Sequence, residues 1–205
     1  MKFIILLYLS FCYMIGSAQP LVQKSLNNVA LKQKAEKLKL YYKNSVKGPD
    51  TLRYQALFFK EFPEKFLYFQ DLYGFKDTTV NILYHEAPEH LDLFNRINCV
   101  EDTLYYEKII NLAMNGKWEV DAVNYFQSGL RENFEKKPAL AFTILSRKID
   151  ADIRNFWFFY FGARFPANME IPLKFAPMEK DYPRVYTVMD KTLKEVKKRG
   201  RPLED

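Results

Sequence analysis

The chain has 205 residues, of which 48% are apolar, 27% are charged and only 7 are glycine, and its formal net charge is +6. This balance excludes a disordered, collagen-like or polytopic membrane protein, and the length suits a single domain. The aromatic fraction is high, at 17%, but neither this fraction nor the charge indicates a function.

The first residues have the features of a secretory signal peptide. Lys2 is followed by the apolar stretch 3–15 and then by the small residues 16–18. The apolar stretch is shorter than the roughly 20 residues that span a bilayer, which argues against a membrane anchor. We therefore expect residues 1–18 to be cleaved after Ala18 and residues 19–205 to form one exported helical domain without a transmembrane segment, in the periplasm or outside the cell.

Cysteine usage limits how this domain can be stabilised. Cleavage would remove Cys12 and leave Cys99 as the single cysteine, so no disulfide could form within the chain. The fold must then depend on its apolar core. Cys99 is expected to be a small buried residue, with a reactive thiol or an intermolecular disulfide as the alternatives.

Helical periodicity extends over nearly all of the remaining chain, and proline and glycine separate its segments. We predict an all-α domain of about seven or eight short antiparallel helices, as a bundle or a stack of helical hairpins. The segments with apolar residues at helical spacing are 31–42, 52–59, 66–73, 88–98, 102–115, 121–137, 138–161 and 183–196.

Two of these segments carry more specific predictions. Asp121 is expected to cap its helix, with Val120 and Tyr125 as a hydrophobic staple. The helix from Pro138 is expected to run unbroken to Phe161, with Ile149 facing inward. The four prolines of residues 163–183 predict an extended strap before the last helix, although a small hairpin in 163–180 is an alternative.

The two histidines, His85 and His90, form the one cluster that suggests a metal site. They stand five residues apart, which on a helix leaves their rings about 140° from each other rather than on one ion. We predict instead a solvated helix start in which His85 pairs with Glu89 and Glu86 pairs with His90. No metal and no cofactor are expected.

Catalytic patterns are weak. Ser128 lies inside a predicted helix and not on a sharp turn, and the glycines stand singly, so nucleophilic catalysis and phosphate-cradling loops are not expected. A cell-wall-active glycan hydrolase would need a carboxylate pair, for which Asp150 with Asp152 or Glu86 with Glu89 are the candidates. Residues two apart on a helix point to different faces, and acidic residues are common at helix starts for electrostatic reasons.

Residues 156–161 are six consecutive aromatics, which on a helix cover every direction and leave no polar face. Such a helix is either central, as is more common, or has one side that contacts a partner. No catalytic residue is assigned, and the candidate partner-binding residues are Trp157, Phe158, Tyr160, Phe165, Phe175 and Trp118.

Basic residues gather at the two ends of the mature chain. Residues 19–49 contain seven lysines against Glu36 alone, and residues 190–201 contain six basic residues against two acidic ones. These ends could contact anionic lipid, envelope polysaccharide or an acidic protein, whereas nucleic acid is not expected. The alternative is that the lysines only solvate the outer faces of terminal helices.

Three groups of motifs resemble a group of small, exported, uncharacterised bacterial proteins. They are Phe62-Pro63-Glu64-Lys65-Phe66 with Leu72-Tyr73-Gly74, residues 115–126, and Phe156-Trp157-Phe158-Phe159 before Gly162 and Pro166. These motifs are helix caps and packing aromatics. The resemblance therefore implies an all-helical fold and export, and it implies no activity.

The leading hypothesis is an exported, non-catalytic protein that binds another protein, such as an immunity-type inhibitor of a toxin delivered into the periplasm. The alternatives are the glycan hydrolase and an envelope-associated accessory protein held by its basic termini.

Overall fold

Residues 27–76, 79–163 and 166–199 are described in the computed structural model of the chain. The predicted signal peptide with its cleavage site, Cys12 and Phe165 lie outside these residues. Among the residues described, no helix is both long enough and apolar enough to cross a membrane.

The described residues form ten α-helices and one antiparallel pair of two-residue strands, so the protein is all-α in class. The helices are α1 (Asn28–Lys47), α2 (Thr51–Glu61), α3 (Phe66–Tyr73), α4 (Ala87–Arg96), α5 (Asp102–Ala113), α6 (Ala122–Lys136), α7 (Pro138–Ser146), α8 (Asp150–Phe161), α9 (Met178–Asp181) and α10 (Pro183–Arg199). The strands are β1 (Phe75–Lys76) and β2 (Thr79–Val80), in which Phe75 pairs with Val80.

The prediction of one long helix from Pro138 to Phe161 is wrong, because the helix is interrupted between α7 and α8. Ile149 has an extended backbone, with φ −73° and ψ 158°, and its side chain is 67% exposed rather than inward. Arg184 of α10 stabilises the segment between the two helices. Its guanidinium donates to the carbonyl oxygens of Ser146, at 2.6 Å, and Lys148, at 3.0 Å, and it pairs with Asp150 at 2.5 Å. A side chain distant in sequence thus helps to separate the two helices.

The proline-rich segment between α8 and α10 contains short helical turns. Its described part has 3-10 turns at Pro166–Asn168 and Leu173–Phe175, followed by α9, and it contains no strand. Phe175 is fully buried and lies 6.0 Å from Trp157, between ring centroids. The segment therefore contributes directly to the core around α8.

Aromatic side chains of α8 form the centre of that core. Five of the six residues in 156–161 are buried, and Phe158 is half-buried. The Trp157 ring lies 6.0 Å from Phe134 of α6 and 5.6 Å from Phe142 of α7. Since neighbouring helices cover α8 on most sides, the absence of a polar face in its sequence reflects its central position.

The carboxyl ends of two helices are capped by side chains from other helices. Lys108 of α5 donates to the Phe59 carbonyl oxygen, at 2.6 Å, near the end of α2. Arg131 of α6 donates to the carbonyl oxygens of Tyr160, at 2.9 Å, and Gly162, at 2.7 Å, at the end of α8. Cations suit the negative end of a helix dipole and satisfy carbonyl groups that have no partner within the helix.

Candidate functional site

Three of the predicted partner-binding residues lie in the core. Trp157, Tyr160 and Phe175 are at most 1% exposed, because α6, α7 and the proline-rich segment cover them. In this conformation a partner cannot reach their rings. The structure therefore does not bring the candidate aromatics together on one accessible surface.

The remaining described candidates are only partly accessible. Phe158 is half-buried beneath the guanidinium groups of Arg154 and Arg199, which lie 5.7 and 4.6 Å from its ring centroid. Trp118 is half-buried where its Cβ approaches Gly162. Both positions lie at the margin of the core around α8.

The prediction of a solvated histidine pair is wrong for His90. Its ring is 1% exposed, and its Nδ1 lies 3.0 Å from the Tyr73 hydroxyl oxygen. Burial lowers the pKa of His90 to about 4, so the ring is neutral at pH 7 and forms no ion pair with Glu86. Glu86 instead pairs with Lys39 at 2.8 Å. His85 is exposed, with its ring 5.4 Å from that of Tyr84.

The candidate carboxylate pairs are partly engaged elsewhere. Asp150 pairs with Arg184. Burial is the largest influence on the pKa of Glu86 and acts to raise it, but the hydrogen bond from Lys39, a backbone hydrogen bond and nearby positive charge together outweigh it, so the net change is downward. The pKa of Glu86 therefore lacks the upward shift that a general acid needs. Within the described residues, no group of three or more His, Cys, Asp or Glu side chains is placed to hold a metal ion.

A groove lined by both polar and apolar groups lies where α4 crosses α6. It consists of two cavities of about 320 and 270 Å³ that share Asn95, Arg96 and Lys136 as lining residues. Gly129 permits this crossing, since a Cβ atom there would lie 1.9 Å from the side-chain nitrogen of Asn95. The larger cavity extends to Tyr105 and Tyr106 of α5, and the smaller one to Tyr125 and Ser128 of α6.

Amide and hydroxyl groups form the floor of the groove. Asn133 donates to the Tyr105 hydroxyl, at 3.0 Å, and to the Asn95 carbonyl oxygen, at 3.2 Å. Tyr106 donates to the Asn133 carbonyl oxygen at 2.5 Å. Burial raises the pKa of Tyr106 to about 12, so this hydroxyl keeps its proton at neutral pH. The floor is therefore polar, uncharged and internally bonded.

The charged residues of the groove neutralise one another. Arg96 pairs with Asp92, Lys136 with Glu132 and Lys137 with Asp102. Three cations and three anions leave no excess of either sign. A phosphate-rich ligand would require unpaired basic groups, so the groove better suits a polar ligand without strong net charge.

Exposed apolar side chains lie on two segments that a hydrogen bond connects. Phe75 and Val80 of the strand pair are 49% and 50% exposed. Val120 and Tyr125, at the start of α6, are 50% and 49% exposed. Tyr84 lies on the segment after β2, and its hydroxyl donates to the Asp121 carboxylate at 2.5 Å. We call Phe75, Val80, Val120 and Tyr125 the rim patch. Tyr125 also lines the groove.

Asp121, which follows Val120 in the chain, has a strained backbone. Its φ of 57° and ψ of −120° lie in a region that residues with a side chain rarely adopt. Asp121 precedes α6 as predicted, but its carboxylate makes no capping bond to the helix. It accepts the bond from Tyr84 instead, and this interaction raises the pKa of Tyr84. Nearby, Gln70 donates to Glu119 at 2.7 Å and so joins α3 to the same loop.

Sequence patterns identify only some of the residues that form the rim patch and the groove. The positions of Val120 and Tyr125 predict a hydrophobic staple, which would account for their apolar character locally. Both side chains are nevertheless about half exposed. Phe75 and Val80 lie outside the segments with helical spacing of apolar residues, so no pattern marks them as exposed or as part of a site. The groove depends on Asn95 and Gly129, two residues from different helices, and no local pattern connects them.

Comparisons of the chain with protein-family models, with curated proteins and with solved structures found no match. The functional argument therefore depends on the geometry and chemistry of the residues described above.

Proposed function

We propose that this protein is an exported, non-catalytic binding protein whose rim patch and adjoining groove contact another protein. The observation that carries the proposal is the rim patch: four apolar side chains, each about half exposed, lie on segments joined by the Tyr84–Asp121 bond. An immunity-type inhibitor that blocks a toxin in the periplasm is the function that we infer.

The chemistry of the surface supports a protein partner. Interface centres are enriched in aromatic residues and surrounded by polar groups, and the rim patch combines Phe75 and Tyr125 with the amides and paired charges of the groove. A strained residue such as Asp121 persists only where its surroundings hold it, and such residues cluster at functional sites. The bonds from Tyr84 and Gln70 hold the loop in position before a partner binds, which lowers the ordering cost of association.

Two features support binding rather than catalysis. His90 is buried and neutral, so it is not available for proton transfer at the surface. Asp150 and Glu86, two of the carboxylates considered for glycan hydrolysis, are engaged by Arg184 and Lys39.

As part of the same proposal, the helices run antiparallel to their sequence neighbours and the proline-rich segment is a strap over α8. Export depends on residues 1–18.

The proposal is tested by affinity capture from envelope extracts of the cell that produces the protein. The test variant is Val120→Asp with Tyr125→Asp, which places two carboxylates in the rim patch. The control is Leu173→Asp, which changes a 92% exposed apolar residue on another segment. We expect one protein to be captured by the wild type and by the control and to be lost with the test variant.

A second measurement identifies the role of the captured protein. Exported alone in a test strain, it should arrest growth, and co-export of the wild type should restore growth whereas the double variant should not. The proposal is overturned if the wild type captures no protein, if the double variant captures the same protein equally well, or if the captured protein has no effect on growth.

A further inference from the structure

The outward face of α1 is strongly basic. Its exposed residues recur at helical spacing along the whole helix, which is about 30 Å long. They are Asn28, Val29, Lys32, Gln33, Glu36, Lys37, Leu40, Lys43, Val46 and Lys47. Four lysines and one acidic residue thus lie on one side of a single helix, which we call the α1 basic face.

The opposite side of α1 belongs to the core, so the α1 basic face is held outward. Ala35 and Leu38 are fully buried. Lys34 pairs with Glu61 of α2 at 3.2 Å, and Lys39 pairs with Glu86 at 2.8 Å, so both serve to attach the helix to the domain.

The lysines of the α1 basic face are largely free. Lys37 makes only a 3.6 Å contact with Glu61. Within the described part of the chain, Lys32, Lys43 and Lys47 make no ion pair. Their charge is therefore available to an external partner.

Three exposed apolar side chains lie among these lysines, and one of them, Val46, is 52% exposed. Val29 is 66% exposed and Leu40 is 53% exposed, and on a helical projection the two positions differ by only about 20°. A basic helix face that also presents aliphatic side chains is typical of helices that lie on anionic membranes, where lysines contact lipid phosphates and apolar groups enter the interface.

The same face is poorly suited to nucleic acid. Helix α1 contains no arginine, and Tyr41 and Tyr42 are half-buried rather than outward. Bidentate phosphate recognition favours arginine, and single-stranded nucleic acid binding uses exposed aromatic rings for stacking. Exposed valine and leucine contribute to neither.

We propose that the α1 basic face binds a membrane surface rich in anionic phospholipid, with α1 parallel to the membrane plane and the rest of the domain on the aqueous side. This contact uses a different surface from the rim patch. It places the binding protein at the membrane and leaves the groove available.

The purified protein is tested by co-sedimentation with vesicles of phosphatidylcholine mixed with phosphatidylglycerol, and with vesicles of phosphatidylcholine alone. We expect binding only to the anionic vesicles, and its loss in about 1 M salt, where the Debye length falls to about 3 Å. The variant Lys32→Glu, Lys43→Glu, Lys47→Glu should bind at least about a hundredfold more weakly, since the loss of each lysine near an anionic surface costs about fivefold and the three added carboxylates are repelled. The matched control is Lys191→Glu, Lys197→Glu, Lys198→Glu in α10, which changes the net charge equally.

A second variant, Val29→Ser with Leu40→Ser, separates lipid from other polyanions. It should weaken vesicle binding several-fold and leave binding to heparin or duplex DNA unchanged. The proposal is overturned if the two triple variants lose vesicle binding equally, because the attraction would then follow net charge alone. It is also overturned if Val29→Ser with Leu40→Ser leaves vesicle binding unchanged, or if the wild type prefers heparin or DNA to vesicles at the same salt concentration.

Discussion

The Nδ1 atom of His90 lies 3.0 Å from the hydroxyl oxygen of Tyr73, and both side chains are buried. Burial raises the pKa of Tyr73 well above its usual value and lowers that of His90 to about 4. The tyrosine therefore keeps its proton, the imidazole ring stays neutral, and the two groups share one hydrogen bond. The rings of Tyr42 and Phe58 lie 4.9 and 5.2 Å from His90, between centroids, and complete its enclosure.

This pair makes the stability of the protein depend on pH. An unfolded histidine has a pKa near 6.5, so between pH 6.5 and about 4 the unfolded state binds more protons than the folded state. The stabilising contribution of neutral His90 is complete above pH 6.5 and is lost as the pH falls toward 4. From about pH 7 to about pH 5, urea unfolding should show a loss of about 2 kcal/mol from this residue. In His90→Gln, whose amide can still form a hydrogen bond with Tyr73, that part of the pH dependence should disappear, and an unchanged slope would disprove the assignment.

Lys108 stabilises the end of α2 from a distant position. Its ammonium group donates to the Phe59 carbonyl oxygen and lies 4.7 Å from the centroid of the Phe59 ring. Burial lowers the pKa of Lys108 to about 8, so the group still carries its charge at pH 7. Lys108→Met keeps the apolar stem but leaves the carbonyl group without this partner, which should cost about 1–3 kcal/mol in urea unfolding at neutral pH. Lys60→Met, at an exposed site of α2, is the control and should change stability by less than about 0.5 kcal/mol. Equal effects of the two variants would exclude a capping role.

Arg131 should stabilise the carboxyl end of α8 because its guanidinium donates two hydrogen bonds to different carbonyl groups there. Its guanidinium donates through Nε to Tyr160 and through Nη2 to Gly162, whereas a lysine ammonium at the same place would reach these carbonyl groups less well. We expect Arg131→Lys to cost about 1 kcal/mol and Arg131→Ala about 2–3 kcal/mol of unfolding free energy. Lys136→Ala removes the same charge from α6 but only an exposed ion pair with Glu132 and a long hydrogen bond of 3.4 Å to Asn133, so its effect should stay below about 0.5 kcal/mol. If Arg131→Lys proves neutral, charge rather than geometry stabilises the end of α8.

Gly116 lies against the Phe159 ring, and a Cβ atom there would come within 2.5 Å of Cδ2 of that ring. Phe159 is itself enclosed by Phe66 and Phe126, at 5.6 and 5.7 Å between centroids, so it has little room to move. Gly116→Ala should therefore lower the unfolding free energy by about 1–3 kcal/mol, as overpacking of a filled core does. The adjacent Lys117 is exposed, and Lys117→Ala should be nearly neutral in the same thermal or urea unfolding experiment. A neutral Gly116→Ala would mean that the loop before α6 can move away from α8.

Helix positions were largely predictable because apolar spacing reports which side of a helix is buried, and this is a local property. The last helix illustrates it: Val185, Val188, Thr192 and Val196 are expected on one side, and all are buried except Val188, which is half-buried. The break between α7 and α8 was not predictable, since the residues there continue an apolar helical pattern and the bonds that support the break come from Arg184.

The same limit applies to the candidate site. An aromatic residue has the same local pattern whether it enters the core or faces solvent, so the sequence could not separate Trp157, which is fully buried, from Tyr125, which is 49% exposed. His90 likewise looked solvated because acidic residues precede it, but Tyr73, Tyr42 and Phe58 enclose it.

The sequence by itself thus determined the all-helical class, most helix boundaries, the aromatic content of the α8 core and the concentration of lysines in α1. These properties follow from helical spacing, from proline and glycine, and from charge, all of which act within a few residues. Only the tertiary structure decided which aromatics remain exposed, where the groove opens and which helix ends are capped. These depend on contacts such as Asn95 with Gly129 and Arg131 with Tyr160, whose partners lie far apart in the chain and meet only when the helices pack.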